Sequence, residues 1–222
     1  VGRKDNFEKE RCEMFSGEQA RAWVQRTAGV IEENAGMLTR LDAAIGDGDH
    51  GTNMARGFKA VLERLDGAGS DFGGLFKAVG MALIGKVGGA SGPLYGSLYL
   101  AIGKSLGDAT EASDAELAAA LRAGYDGVVA RGKAQLEDKT MLDAWDPALK
   151  ALDGALGEGV ELGVALDRAA AAAEEGMKAT IPLVARKGRA SYLGERSRDH
   201  QDPGATSTWL IVKALADTVN DR

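Results

Sequence analysis

The segment from Leu41 to Arg56, LDAAIGDGDHGTNMAR, sets Asp42, Asp47 and Asp49 among three glycines and beside His50, one of the chain's two histidines. Three carboxylates held close together repel one another and call for a cation. Hard oxygen ligands without a thiolate suit Mg2+, with Ca2+ or Mn2+ as alternatives, rather than zinc. On one helix Asp42 and Asp47 would point about 140° apart, so no single helix can gather all three. An extended stretch places Asp47 and Asp49 on one side, and Gly46, Gly48 and Gly51 let the chain fold back so that Asp42 joins them. The plain rival is that Asp42 ends a helix while Asp47 and Asp49 occupy a solvated turn.

Three familiar patterns overlap these residues or lie nearby, and each fails. Gly46, Gly48 and Gly51 satisfy GxGxxG, but a helical pattern precedes them and two intervening positions are Asp, which would repel a pyrophosphate. Gly80 to Lys86, GMALIGK, opens like a Walker A motif, yet Val87 stands where Ser or Thr should hold Mg2+ and the run sits in an amphipathic helix. An EF-hand begun at Asp47 would need a ligand at Gly51 and a Glu at Phe58.

Further segments could act on an anion. GGASG, Gly88 to Gly92, precedes a helix and offers backbone amides as a phosphate cradle, with a plain turn as its rival. Ser91 could donate a hydroxyl or merely cap the helix, and Arg189 could clamp a phosphate or stand as a surface charge. Arg131 to Lys133, RGK, lies near another helix end. His50 could touch phosphate or make structural hydrogen bonds, and His200 reads as structural. Asp202 reads as a helix cap.

Helices must carry these loops. Ser16 with Gln19 forms a capping box before Ala20, Trp23, Val24, Ala28, Ile31, Ala35 and Leu38, a long helix that delivers the chain to Asp42. A second follows through Met54, Phe58, Val61 and Leu65, a third through Phe72, Phe76, Val79 and Leu83, and Pro93 opens a fourth. Ser113 and Glu116 box a fifth; Met141, Trp145, Leu149 and Leu152 mark a sixth, with a new turn available at Pro147. Ala165 to Met177 is a seventh, closed by Pro182. Arg186 to Gly204 shows no period and reads as a long loop, and Asp202 with Pro203 opens the last helix. No stretch alternates with a period of two, so the fold is expected to be all-α, an up-and-down bundle of about eight helices. Its 31 glycines and 5% aromatics suit helices that approach closely through small residues.

The 222 residues suit one domain. A net charge of −6 with scattered Lys and Arg argues against nucleic acid or an anionic membrane as partner. Cys12 alone can form no internal disulfide, and no signal peptide or long apolar run is visible, so a cytoplasmic protein is expected. Residues 1–16 are expected to be a disordered or vector-derived extension, and 17–222 the single nucleotide-binding domain.

Four motifs in order, IGDGDHGTNMARGF, GGASGPLYGSL, ARGKAQLEDKTMLD and ARKGRASYLGERSRDHQDPGATS, are similar to the nucleotide-binding L subunits of dihydroxyacetone kinases, from about Glu18 to the C-terminus. The resemblance implies an antiparallel eight-helix barrel holding an adenine nucleotide at one end through two Mg2+ ions. By motif match, Asp42, Asp47 and Asp49 would be the magnesium ligands and, with Arg189, the catalytic set. The nucleotide would contact His50, Gly51, Thr52, Asn53, Ala90, Ser91, Gly132, Met141, Arg189, Asp202, Pro203 and Gly204. Two Mg2+ ions set four positive charges against three carboxylates and about three negative charges on ADP, which offsets most of the negative charge before Arg189 is counted.

In that family the ketone is held on a separate K subunit or domain. A chain of this length resembles the bacterial form, in which ADP stays bound as a coenzyme and is rephosphorylated by an M subunit fed from phosphoenolpyruvate through the phosphotransferase system. The phosphoryl group then passes to dihydroxyacetone on the K subunit. Two other outcomes stay open: a subunit of a related ketose kinase, such as one for erythrulose, using exchangeable ATP, and a non-catalytic Mg-nucleotide module that regulates a partner. Fatty-acid kinases share the DGD and GTNM elements but match GRASYLGERS less well. A homodimer is also allowed.

Overall fold

The computed structural model describes residues 14–221. A short strand β1 (Phe15–Ser16) leads into α1 (Gly17–Ile45), α2 (His50–Leu65), α3 (Phe72–Lys86) and α4 (Ser91–Leu106). Strand β2 (Glu111–Ala112) follows, then α5 (Asp114–Gly132), α6 (Leu142–Gly157), α7 (Leu162–Ala179), a 3-10 segment (Arg189–Ser197) and α8 (Pro203–Asn220). Each helix packs on the next, and α8 returns against α1, so the eight close into a ring. Short connections between packed neighbours make them antiparallel. The all-α expectation holds; the two strands form only a small antiparallel ribbon, Phe15 opposite Ala112.

Closure gives the core a single interior. Trp23, Phe58, Phe72, Phe76 and Tyr99 are buried inside it, with Phe76 stacked on Tyr99 and Phe15 of β1 stacked on Phe72. The indole Nε1 of Trp23 donates to the Ile211 carbonyl at 3.0 Å, which ties α1 to α8 across the seam. Both capping boxes form. Ser16 Oγ accepts from the Gln19 amide while Gln19 Oε1 accepts from the Ser16 amide, and Ser113 and Glu116 repeat the arrangement. Each cap of this kind is worth about 1 kcal/mol.

Several expectations need correction. Residues 1–13 of the expected extension lie outside the described residues, but Phe15 and Ser16 belong to the fold, as ribbon strand and helix cap. Helix α4 begins at Ser91, two residues ahead of Pro93. Helix α6 runs unbroken through Pro147, and Gly176 of α7 packs against the Asp143 carbonyl and the Pro147 ring. The expected loop from Arg186 to Gly204 folds in its middle into the 3-10 segment, kinked at Gly194 with φ 54°. The GMALIGK run lies inside α3, as its apolar period implied.

Antiparallel alternation sends four connections to one end of the ring: 46–49, 87–90, 133–141 and 180–202. These contain nearly every polar segment singled out from the sequence.

Candidate functional site

Helix α1 carries Asp42 in its last turn, the turn of four residues carries Asp47, and Asp49 stands at the start of α2. One carboxylate oxygen from each lies within 4.8 Å of the others. The Asp42 side chain is nearly buried, and its Oδ2 accepts the amides of Asp49 at 2.8 Å and His50 at 3.1 Å. A carboxylate from the end of one helix thus caps the start of the next, where the helix dipole favours negative charge. A Cβ added at Gly46 would overlap the Asp42 carboxylate, so glycine here leaves that carboxylate free to keep its place. Gly48 adopts φ 71°, the left-handed region.

The cluster forms one edge of a cavity of about 480 Å3. Gly88, Gly89 and Ala90 line it from the α3–α4 connection, Ser91 from the start of α4, Gly132 from the end of α5 and Met141 from the α5–α6 connection. Arg189 lines it from the 3-10 segment, and Asp202, Pro203 and Gly204 from the start of α8. Nine of the twelve residues expected to contact a nucleotide therefore meet around one cleft; Gly51, Thr52 and Asn53 do not line it. Gly51 is buried where α2 crosses α1, and a Cβ there would overlap the Ala35 carbonyl. Thr52 is exposed, and Asn53 packs against Gly88 and accepts a hydrogen bond from Arg56.

Beneath the cleft lies a polar network that the sequence did not reveal. His50 bonds Ser91 Oγ through Nδ1 at 3.1 Å and Ser207 Oγ through Nε2 at 2.9 Å. Burial lowers its pKa to about 4, although Asp42 and Asp49 act to raise it, so the imidazole is neutral at pH 7. Ser91 is thus a partner of His50, not a cap. Tyr95 donates to the Gly204 carbonyl at 3.1 Å and bonds Ser207 and Thr208, and burial holds its phenol protonated. Asp202 caps α8 as expected, accepting the Ala205 amide at 2.7 Å, and burial raises its pKa to about 7. His200 is exposed and outside the cleft.

Lys139 is the second residue that sequence reading missed. It is 1% exposed, and its Nζ donates to the carbonyls of Ser197 at 2.6 Å, Leu183 at 3.0 Å and Ile181 at 3.4 Å. Burial lowers its pKa, with Asp202 opposing.

Oxygen-only ligands within 4.8 Å of one another fit a hard divalent ion, and Arg189, whose Nε lies 2.8 Å from Asp47 Oδ2, offsets only part of their charge. The glycine-lined start of α4 fits a phosphate. A closed helical ring with carboxylates, a glycine turn and an arginine converging on one cleft has the makeup of a cation-dependent, anion-binding protein.

The model of the DAK2 domain matches residues 44–217. Over 195 residues the chain is 44% identical to the ADP-binding subunit DhaL of the PEP-dependent dihydroxyacetone kinase of Escherichia coli (strain K12), spanning 87% of this chain and 93% of that one. The D-erythrulose kinase of Mycolicibacterium smegmatis is 40% identical over 185 residues, but these span only 32% of that enzyme. The crystal structure of the dihydroxyacetone kinase from C. freundii in complex with AMP-PNP and Mg2+ superposes with a TM-score of 0.69 at 27% identity, covering 94% of this chain and 35% of that one. The chain belongs to the DAK2 domain family. Among the described residues no helix is long and apolar enough to cross a membrane.

Proposed function

We propose that this chain is the nucleotide-holding subunit of a dihydroxyacetone kinase, passing a phosphoryl group through bound ADP/ATP to a ketone held on a partner K subunit. The observation that carries this reading is the meeting of Asp42, Asp47 and Asp49, within 4.8 Å, with the glycine-lined start of α4 on one cleft. Asp42, Asp47 and Asp49 would hold two Mg2+ ions, which when bound neutralise phosphate charge. The chain itself would orient the phosphates: residues 88–91 line the cleft, where backbone amides at the start of α4 would favour their charge. Arg189 reaches the cluster from the α7–α8 connection and would clamp phosphate oxygens in bidentate fashion. His50, neutral and doubly hydrogen-bonded, holds Ser91 and α8 in register. Phosphoryl transfer asks for placement and charge more than for a nucleophile, and the cleft offers these.

Identity across 93% of the E. coli ADP-binding subunit favours a coenzyme-like nucleotide, recharged by an M subunit from a phosphotransferase donor. The 40% identity to a D-erythrulose kinase favours a second reading, exchangeable ATP with another ketose on the partner. Denaturing the purified protein and assaying the supernatant by mass spectrometry separates them. Stoichiometric ADP supports the first; no nucleotide, with sustained turnover from ATP and a K subunit, supports the second.

A further inference from the structure

The cleft depends on a segment that belongs to no helix of the ring. Residues 180–202 leave α7, form the 3-10 segment and return to α8, carrying Arg189 to Asp47. Such a long excursion holds a side chain in place only if its neck is tied. Lys139, reaching over from the α5–α6 connection, meets that neck on both strands at once. Ile181 and Leu183 lie on the outgoing strand and Ser197 on the returning one, and the one ammonium donates to the carbonyls of all three. The neck is zipped further by Asp199 N to the Ile181 carbonyl at 2.8 Å, Ala185 N to Ser197 Oγ at 2.8 Å, and Arg186 N to the Asp138 carbonyl at 3.0 Å.

The approach is costly to the chain. Lys139 sits at φ 62° and Glu137 at φ 65°, both in the left-handed region that non-glycine residues avoid. Asp143 holds this turn by accepting the amides of Thr140 at 2.7 Å and Glu137 at 2.6 Å. Although Lys139 borders the cleft, its nitrogen is committed to three carbonyls and is not offered to an anion.

We infer that Lys139 is a positioning residue, whose buried ammonium closes the neck of the 180–202 segment and thereby sets Arg189 against Asp47 and the bound nucleotide. This rests on the nucleotide reading above for its effect on binding, but the tie itself does not.

Two arms test it on the full chain. In the ligand-free protein, trypsin should cut after Arg186, Lys187 or Arg189 at least about tenfold faster in Lys139→Met than in the wild type, the helices of the ring staying resistant. Equal cutting overturns the tie. In the second arm, calorimetry with ADP and Mg2+ compares wild type, Lys139→Met, Arg189→Ala and the double variant. Lys139→Met should weaken binding about tenfold, and the double variant should bind like Arg189→Ala alone. Additive losses, or an unchanged affinity in Lys139→Met, overturn the proposal. If Lys139→Met fails to fold by circular dichroism, Lys139→Gln repeats both arms. Loss of the whole fold in both variants would also overturn it, since a general core role is then enough. A wild type that binds no Mg-ADP would sink the nucleotide reading while leaving the trypsin arm to decide the tie.

Discussion

The guanidinium Nε of Arg189 stands 2.8 Å from Oδ2 of Asp47, so one carboxylate of the acidic trio is already paired with a cation of the chain itself. Both side chains are substantially exposed, at 69% and 36%, and such a pair is worth at most about 1 kcal/mol. It is therefore easily exchanged. Arg189→Ala should strengthen binding of bare Mg2+ slightly, by removing a competitor, while weakening Mg-ADP roughly tenfold through loss of a phosphate clamp. Equal weakening of both in calorimetric titrations would mean that Arg189 only supports the loop.

Gly46 tests the acidic turn without touching a ligand. In Gly46→Ala the new methyl group must push the Asp42 carboxylate aside. Mg-dependent nucleotide affinity should fall more than tenfold. The melting temperature should fall by only a few degrees, because the helices on either side are anchored by the core.

Gly51 separates packing from ligand contact. It meets the Ala35 carbonyl and Thr39 of α1. Gly51→Ala should cost about 1–3 kcal/mol of stability by forcing α2 off α1. Denaturant melts check this. A variant with unchanged stability but lost nucleotide affinity would instead support the direct contact implied by the family motif.

Stability should carry an opposed pH signature. Asp202 ionises near pH 7 in the folded chain against an ordinary 3.8, so the folded state binds the extra proton between those values. Its contribution is full at low pH and is lost as pH rises from about 4 through 7. His50, lowered to about 4 from 6.5, acts the other way: stability is lost as pH falls through that window. Asp202→Asn keeps a capping side chain and removes only the first slope. It should gain on the wild type by up to a few kcal/mol at pH 8 and show little difference near pH 4. A constant difference across that range in urea melts would contradict the assignment.

Much of this was readable from residue order because helices announce themselves. The period from Ala20 to Leu38, the boxes at Ser16 and Ser113, and the cap at Asp202 are local signals, and all appear in the structure. Spacing and glycine allowed the convergence of Asp42, Asp47 and Asp49 but left a solvated turn as its rival, and the structure brings the three together. What escaped was non-local. Lys139 looks like any surface lysine until three carbonyls from residues 42 to 58 positions away enclose it. Ser207 and Tyr95 carry no local signal, and only the ring of helices brings Ser207 to His50 and Tyr95 to Ser207. The 3-10 segment has no apolar period to reveal it, and the β1–β2 ribbon is too short for alternation to show.

In the proposed function, three carboxylates bind the nucleotide through divalent ions. The most direct measurement is calorimetry of nucleotide-stripped protein titrated with ADP, with Mg2+ or with EDTA, in the wild type and in Asp47→Asn. Clear binding is expected with Mg2+, and its loss both in EDTA and in Asp47→Asn, because the amide that replaces the carboxylate removes a charged ligand from the ions that hold the diphosphate. Equal affinity with and without Mg2+, or undiminished affinity in Asp47→Asn, would contradict it.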